Sequence, residues 1–476
     1  MDAKMSKLAG LIEKFKPHRS FACSYGTVEV DGVLVRVAKE NDDSWRIHID
    51  PETGKKYFMI AAEDALQDPA IIRSARVSTG RDSKEVDEKA EGLIQALWRE
   101  KHLTPFEGGA VFRLRFEVPI AYAQPLFQLF ASFNEFSGRY SEIDGTYYTP
   151  SNLSASALKE FQDAEEEAHG AYKKLLELGV AREMARFAHL YRFYTKFYMT
   201  ISLRHIMEFL NWTNVNTRHT KTEFWEIKNV FREIIKNWTP WAFEAFEKEP
   251  RPVDFGWVNE RLRKNKRLLS ELPSERTVRV LNKGLIRLLG SYGNQDLMIS
   301  CLDHFPNPSK ALGHGGMSFL IKMPIFVFRQ WVRHRYGAMT ELSLDYDTIV
   351  ERNSFYLPKH FRKQLGKSMS YQYVDMDDKE NEIAKANLTE HKDACRERYL
   401  RLRKMGVSAE IAAMILPYSF YMYVVWTAPV ESLINFIHLR TDMRAQWEIR
   451  QYADLIGVMV RDHFPDIAEL CNEGKI

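Results

Sequence analysis

The chain has 476 residues, 45% hydrophobic and 13% aromatic, which is enough for two or three domains with sizeable cores. Charged residues make up 28% and balance to a net +3, so the charge favours neither a nucleic acid nor a membrane surface as partner. Four cysteines, Cys23, Cys301, Cys395 and Cys471, stand singly; this supports no zinc knuckle, disulfide framework or metal site, and fits a reducing cytoplasm.

The N-terminal MDAKMSKLAGLIEKFKPHRS has no sustained apolar stretch behind its positive charges, so it does not read as a secretion signal. No apolar run is long enough to span a bilayer. Residues 1–55 read as an extension carrying a hairpin within TVEVDGVLVRVAKENDDSWRIHI. The alternating run AVFRLRFEV (110–118) predicts a strand, with Pro119 behind it as the first residue of a helix. EEEAHGAYKKLLELG predicts a long helix stopped by Gly179. The aromatic-rich REMARFAHLYRFYTKFYMTISLRHIMEFL after it is expected to be helical. Residues 251–275 read as a linker with a short basic helix, and Arg261–Arg267 as a solvated face. The order then recurs. MSFLIKM (317–323) predicts a strand and Pro324 a helix start; EHKDACRERYLRLRKMG predicts a helix stopped by Gly406; AEIAAMILPYSFYMYVVWTAPVESLINFI is again expected to be helical. The expected fold class is α+β, with two tandem repeats at 56–250 and 276–476, each a small antiparallel sheet packed with long helices.

Ordered blocks carry the repetition. VPIAYAQPLF (118–127) pairs with MPIFVFRQWV (323–332), and FNEFSGRY (133–140) with MTELSLDY (339–346). YYTP (147–150) pairs with FYLP (355–358), LELGVAREMARF (176–187) with RKMGVSAEIAAM (403–414), and FWEIKN (224–229) with QWEIRQ (446–451). Five matches in one order imply a duplication. The offset grows from 206 residues at Ser137/Ser343 to 227 at Gly179/Gly406, mostly through polar 359–386, which reads as a surface insertion. Each copy is broken in a different place. Arg333-His334-Arg335 faces Phe127-Gln128-Leu129, or the triplet one residue later, and neither holds Arg or His. Ser137-Gly138-Arg139 faces Ser343-Leu344-Asp345.

RQWVRHR (329–335), followed after seven residues by Ser343, closely resembles the signature of flavin-dependent thymidylate synthases. SFNEFSGRYS resembles the second half of that signature, and ARVS (75–78), HLTPFE (102–107), GVAREMAR and LRTDMRAQWEIRQYA (439–453) resemble its flanking segments. The resemblance implies a reductive methylation. Members bind FAD, reduce it with NADPH, take a methylene group from methylenetetrahydrofolate and deliver it to C5 of dUMP, giving dTMP. No enzyme cysteine attacks the uracil.

The implied site residues follow one by one. Arg333, His334 and Arg335 are expected on a helix as catalytic, flavin-facing residues, because a planar, permanent cation suits a flavin or a uracil edge. Gln330, one turn earlier, would share their face and meet substrate. Ser137, Gly138 and Arg139 resemble the dUMP-binding loop, where glycine lets backbone amides approach a phosphate that arginine grips bidentately. In the second copy Ser343 persists, but Asp345 would repel a phosphate. Arg186 matches a phosphate contact whose counterpart is Ala413, and Arg440 a base contact. Arg218 is the nearest first-copy equivalent of Arg440, displaced by an insertion. Glu135 and Glu341 recur in both copies, as nucleotide-positioning or structural acids. Ser78, His102, Arg204 and Asn435 match FAD contacts, and Arg444 stands where histidine is usual. Pro308, Glu208 and Glu431 depart from the pattern, and GHGG (313–316) is weak as a phosphate loop. The expectation is a composite site, with the phosphate grip from the first repeat and the base and flavin side from the second. A homodimer would then equal a four-repeat assembly, with half its pseudo-equivalent sites active. Three alternatives stay open: another pyrimidine nucleotide as substrate, hydroxymethylation, or an inactive flavin- or nucleotide-binding scaffold.

Overall fold

The structure is a computed structural model that describes residues 20–23, 26–33, 46–49, 56–59, 68–77, 89–139, 141–143, 145–211, 221–250, 276–304, 307–342, 345–366 and 372–472. Two compact units form, and they do not follow the repeats end to end. One holds Met1–Phe136 and Tyr194–Leu262; the other holds Ser137–Phe193 and Arg263–Ile476. Residues 137–193 of the first repeat therefore fold into the unit that carries the second.

The first unit is built on a five-stranded antiparallel sheet in the order Ser20–Cys23, Gly26–Val33, Val111–Pro119, Tyr194–Ser202, Ser132–Glu135. The second unit repeats it as Arg276–Val280, Gly284–Tyr292, Gly316–Pro324, Tyr421–Pro429, Ala338–Glu341. The likeness extends to irregularities. Each sheet has a register shift in its second strand just ahead of a glycine, Gly32 in one and Gly290 in the other. The α+β class and the small antiparallel sheets are as the sequence predicts. The hairpin expected within 27–49 is not: Gly26–Val33 pairs with Ser20–Cys23 and Val111–Pro119, whereas Arg46–Ile49 pairs with Lys56–Met59.

Two further expectations are corrected. The aromatic-rich stretches are not continuous helices, because each contains a central strand of its sheet. In Tyr194–Ser202, Thr195, Phe197, Met199 and Ile201 are buried while Lys196, Tyr198 and Thr200 take the other face. In Tyr421–Pro429, Met422, Val424, Trp426 and Ala428 are fully buried on one face. That two-residue period, in β-branched and aromatic residues, outweighs the apolar bulk that suggested helix. Pro119 and Pro324 also stand one place earlier than expected. With ψ of 145° and 148° each is the extended last residue of its strand, and helices Ile120–Leu126 and Ile325–Trp331 begin after it.

The long helices form where expected. Ala155–Glu177 is capped by Ser154, whose hydroxyl accepts from the Ala157 amide, and buries Ala157, Phe161, Ala164, Ala168 and Leu175 at helical spacing. Asp378–Lys404, capped by Asp377, packs against it, with Arg398 bonded to Glu160 at 2.8 Å. Gly179 (φ +80°) and Gly406 (φ +83°) take the left-handed turn that ends each helix. The linker's basic helix and Arg261–Arg267 lie outside the described residues. Among the described residues no helix is long and apolar enough to cross a membrane.

Candidate active site

In the second unit, four chain segments from both repeats converge on one buried polar network. The first is the loop after Phe136. The Ser137 hydroxyl accepts from the Arg139 amide at 3.4 Å, and a side chain at Gly138 would meet Ile143 Cδ1 at 2.9 Å. This close packing folds the loop back so that the Arg139 guanidinium points inward. Its Nε donates to Glu183 Oε2 at 3.0 Å and its Nη2 to the Arg444 carbonyl at 2.9 Å.

The second segment is the turn of helix Arg182–Ala185 and the short 3₁₀ helix Arg186–Ala188. Glu183 has no exposed surface. Arg186 is buried, and burial pulls its guanidinium below its ordinary pKa. Its Nη2 donates to Gln446 Oε1 at 2.8 Å.

Helix Ile325–Trp331 is the third. Gln330, on its last turn, donates to the same Gln446 oxygen at 2.9 Å. Arg333-His334-Arg335 is not on this helix as expected, because the helix ends at Trp331 and the triplet follows in a turn closed by His334 N donating to Trp331 O. Gly337 (φ +142°) then leads the chain into strand Ala338–Glu341. Arg335 is exposed, Arg333 half-buried and His334 buried. The His334 ring packs edge-on against Phe436, and its Nε2 accepts from Arg440 Nε at 2.9 Å. Arg440, on helix Val430–Thr441, also donates to the Gln330 carbonyl at 3.0 Å.

Gln446, fully buried ahead of helix Trp447–His463, joins the segments: it accepts from Arg186 and Gln330 and donates to the Glu183 carbonyl at 3.3 Å. Beside it, Glu448 accepts from the Tyr356 hydroxyl at 3.0 Å and from Arg362 at 3.1 and 3.2 Å. Arg362 also stands 3.5 Å from Glu183. Arg139, Arg186 and Arg362 thus gather around the carboxylates of Glu183 and Glu448 in a largely dry setting. Such a setting suits a bound anion.

Glu183, Gln446, Glu448 and Arg362 were not among the sequence candidates. The repeat alignment held one usable signal: the QWEIRQ block sets Gln446 against Phe224, an asymmetry of the kind seen at Arg139/Asp345. Equivalence is also refined at the triplet. The strands and helices align at a constant offset from Val111/Gly316 to Leu126/Trp331, which sets Gln128-Leu129-Phe130 opposite Arg333-His334-Arg335.

The remaining candidates lie elsewhere. In the first unit, Glu135 accepts from the Thr195 hydroxyl at 2.8 Å, His102 is exposed, and Arg204 pairs with Glu107 at 2.7 Å and Glu208 at 2.9 Å. In the second, Glu341 ends its strand half-buried, while Asn435 and Arg444 are exposed and Arg444 pairs with Asp442 at 2.8 Å. Ser78, Arg218 and Ser343 lie outside the described residues.

Asp345 has a structural task in place of the missing arginine. Its carboxylate caps helix Tyr346–Glu351, accepting from Thr348 N at 3.1 Å and Thr348 Oγ1 at 3.0 Å. Asp345→Ala should therefore cost about 1 kcal/mol of stability and leave turnover unchanged. A melting curve and a rate measurement check this; a tenfold rate loss without destabilisation would contradict it.

Three buried histidines in this unit fix its acid limit. Burial, with Arg440 nearby, lowers His334 to about 3; burial, with His391 and His169, lowers His189 to about 3; burial lowers His391 to about 4. Each is neutral in the fold, whereas the unfolded chain takes up its proton near pH 6.5. Their contribution is therefore complete above pH 6.5 and is lost as pH falls from there toward 4. The thermal midpoint should drop steadily between pH 7 and 5; a flat profile contradicts the assignment.

A family model described as thymidylate synthase complementing protein matches residues 62–242 and again 271–466. The flavin-dependent thymidylate synthase of Thermosipho africanus is 32% identical over 210 residues, covering 39% of this chain and 90% of that protein. That of Thermus thermophilus is 38% identical over 212 residues, covering 40% of this chain and 76% of that protein. A solved UMP/dUMP methylase from Streptomyces cacaoi shares 26% identity over 39% of this chain and 91% of its own, at a TM-score of 0.35, too low to compare folds. Two successive matches to one family, on two sheets with one strand order and one bulge position, place the chain: it belongs to the flavin-dependent thymidylate synthase family, as a tandem pair of that family's repeats.

Proposed function

We propose that the chain methylates dUMP at C5 to give dTMP, with FAD as cofactor and NADPH and methylenetetrahydrofolate as co-substrates, at one site per chain made by both repeats. The observation that carries this reading is the Gln446 amide, which accepts from first-repeat Arg186 and second-repeat Gln330 within one compact unit. In this reading Ser137, the backbone amides at Gly138, Arg139 and Arg186 take the phosphate. The clustered guanidiniums favour an anion there, and Glu183 and Gln446 hold Arg139 and Arg186 in register. Arg440 and Gln330 meet the uracil edge. His334, neutral at working pH, fixes Arg440 by accepting its Nε–H.

The donor set also suits a flavin. Exposed Arg335, Asn435 and Arg444 lie in sequence beside exposed Tyr336, Leu439 and Met443, and Asn435 and Leu439 share one face of their helix. These are cations and an amide for a pyrophosphate, with apolar surface for a planar ring. Arg333, Arg335, Asn435 and Arg444 would hold FAD, which when bound supplies the reducing electrons. The family resemblance also assigns Ser78, His102 and Arg204 to FAD contacts. A homodimer of this chain supplies four repeats.

Purified protein should be yellow with the absorbance of oxidised flavin. It should release tritium from C5-labelled dUMP when given the folate and NADPH. A colourless protein that binds neither FAD nor dUMP contradicts this reading.

A further inference from the structure

At one corner of the second unit, cations from four chain segments gather without matching acids. Lys283 stands in the turn between strands Arg276–Val280 and Gly284–Tyr292. Two places on, Leu285 pairs with Lys322, which pairs in turn with Tyr423. The Lys322 ammonium lies 5.4 Å from the centre of the Tyr421 ring and 5.5 Å from that of Tyr423. Arg352 follows helix Tyr346–Glu351, and Asn353 after it takes a left-handed turn (φ +48°) whose carbonyl accepts from Lys283. Arg396, on helix Asp378–Lys404, donates to the Val350 carbonyl at 3.1 Å, which brings it and Lys392 to the same corner.

The charge here is one-sided. Asp393 pairs with Lys392 at 3.3 Å and with Arg396 at 3.7 Å. Among the described residues, Lys283, Lys322 and Arg352 pair with no carboxylate. Burial, then Lys392 and Arg396, lowers the pKa of Lys283; burial, then Lys283 and Arg352, lowers that of Lys322. Lys283, Arg352 and Tyr423 are exposed, and Lys322 is half-buried. The fold does not require this arrangement. At the equivalent places in the first repeat's sheet, Glu117 opposes Lys196, and the two form an ion pair at 3.3 Å. Gathered like charges lower stability unless an anion meets them, and the exposed Tyr423 ring beside them offers a flat apolar surface.

We propose that this corner binds the phosphate chain of a nucleoside polyphosphate, with Lys283, Lys322 and Arg352 as its contacts and the Tyr423 ring against the base. The cluster is compact and offers one exposed ring, whereas a nucleic acid strand calls for an extended basic track with successive rings. The proposal stands apart from the reaction read at the Gln446 network.

The test is calorimetric titration of the full chain, flavin-loaded and with dUMP in excess. ATP should bind once per chain, more weakly as salt rises. Tripolyphosphate, which has the charge without the base, should bind more weakly than ATP. Lys322→Gln/Arg352→Gln should weaken both at least about tenfold and leave dUMP affinity unchanged. Arg352→Gln alone, at an exposed side chain, should weaken both about threefold. Tyr423→Ala should reduce ATP to the affinity of tripolyphosphate. Wild-type protein that binds neither probe overturns the proposal, as does a double variant that binds both as the wild type does. ATP and tripolyphosphate held equally would remove the nucleotide, and a single-stranded oligonucleotide held more tightly than ATP would assign the corner to nucleic acid; either result overturns it. A separate dUMP titration reads the Gln446 site, so the two readings fail independently.

Discussion

Arg139→Met should remove about 10²–10³-fold of kcat/KM, because a guanidinium that grips a phosphate contributes charge-assisted bonds no methionine replaces. It should also destabilise the fold, for a separate reason. Arg139 and Glu183 form a buried pair, and Glu183 has no exposed surface. Removing one partner of such a pair typically costs about 3–5 kcal/mol, since the other charge stays buried. The two effects can be separated. Arg139→Met with Glu183→Gln leaves no unpaired carboxylate against Arg362, which keeps Glu448, so stability should largely return while activity stays lost. Recovery of activity in the double variant would show that Arg139 serves Glu183 and not the substrate.

Gln446→Leu is the second large effect, at a residue that carries no charge. One amide accepts from Arg186 and Gln330 and donates to the Glu183 carbonyl. Leucine fills the volume but strands the buried Arg186 donor, at about 1–3 kcal/mol for an unmet group and more for a charged one, while half-buried Gln330 keeps the Phe326 carbonyl. Stability should fall by several kcal/mol. The KM for dUMP should rise at least about tenfold, as Arg186 and Gln330 lose their shared reference point. Gln446→Glu keeps an acceptor for both and should recover most of the stability. Differential scanning calorimetry with steady-state kinetics reads both; a Gln446→Leu protein with wild-type KM would remove Gln446 from the account.

Much of this was legible in the sequence because duplication writes itself twice. The paired blocks gave the repeats, the strand at 110–118 and its copy, and the glycine stops at Gly179 and Gly406. The split of motifs between copies pointed to Arg139 and Arg186 on one side and Gln330 and Arg440 on the other. The errors share a cause: local pattern cannot weigh what lies across the core. Aromatic bulk at 191–198 suggested helix, yet Tyr194–Ser202 pairs along its whole length with Val111–Pro119. The triplet looked helical because it follows a helix, yet Gly337 turns the chain immediately after it. Glu183, Gln446 and Arg362 escaped notice because their partners lie far off in sequence, as Arg186 does from Gln446. Polar residues that are buried by such distant partners read in sequence like ordinary surface.

The central claim is that first- and second-repeat residues build one nucleotide site per chain. Calorimetric titration of the flavin-loaded protein with dUMP tests it most directly, run on the wild type and on the Arg139→Met/Glu183→Gln and Arg440→Met variants. The account predicts one dUMP per chain in the wild type, with binding lost or weakened at least about tenfold in both variants. Two dUMP per chain, or full affinity after either repeat's arginine is removed, would contradict it.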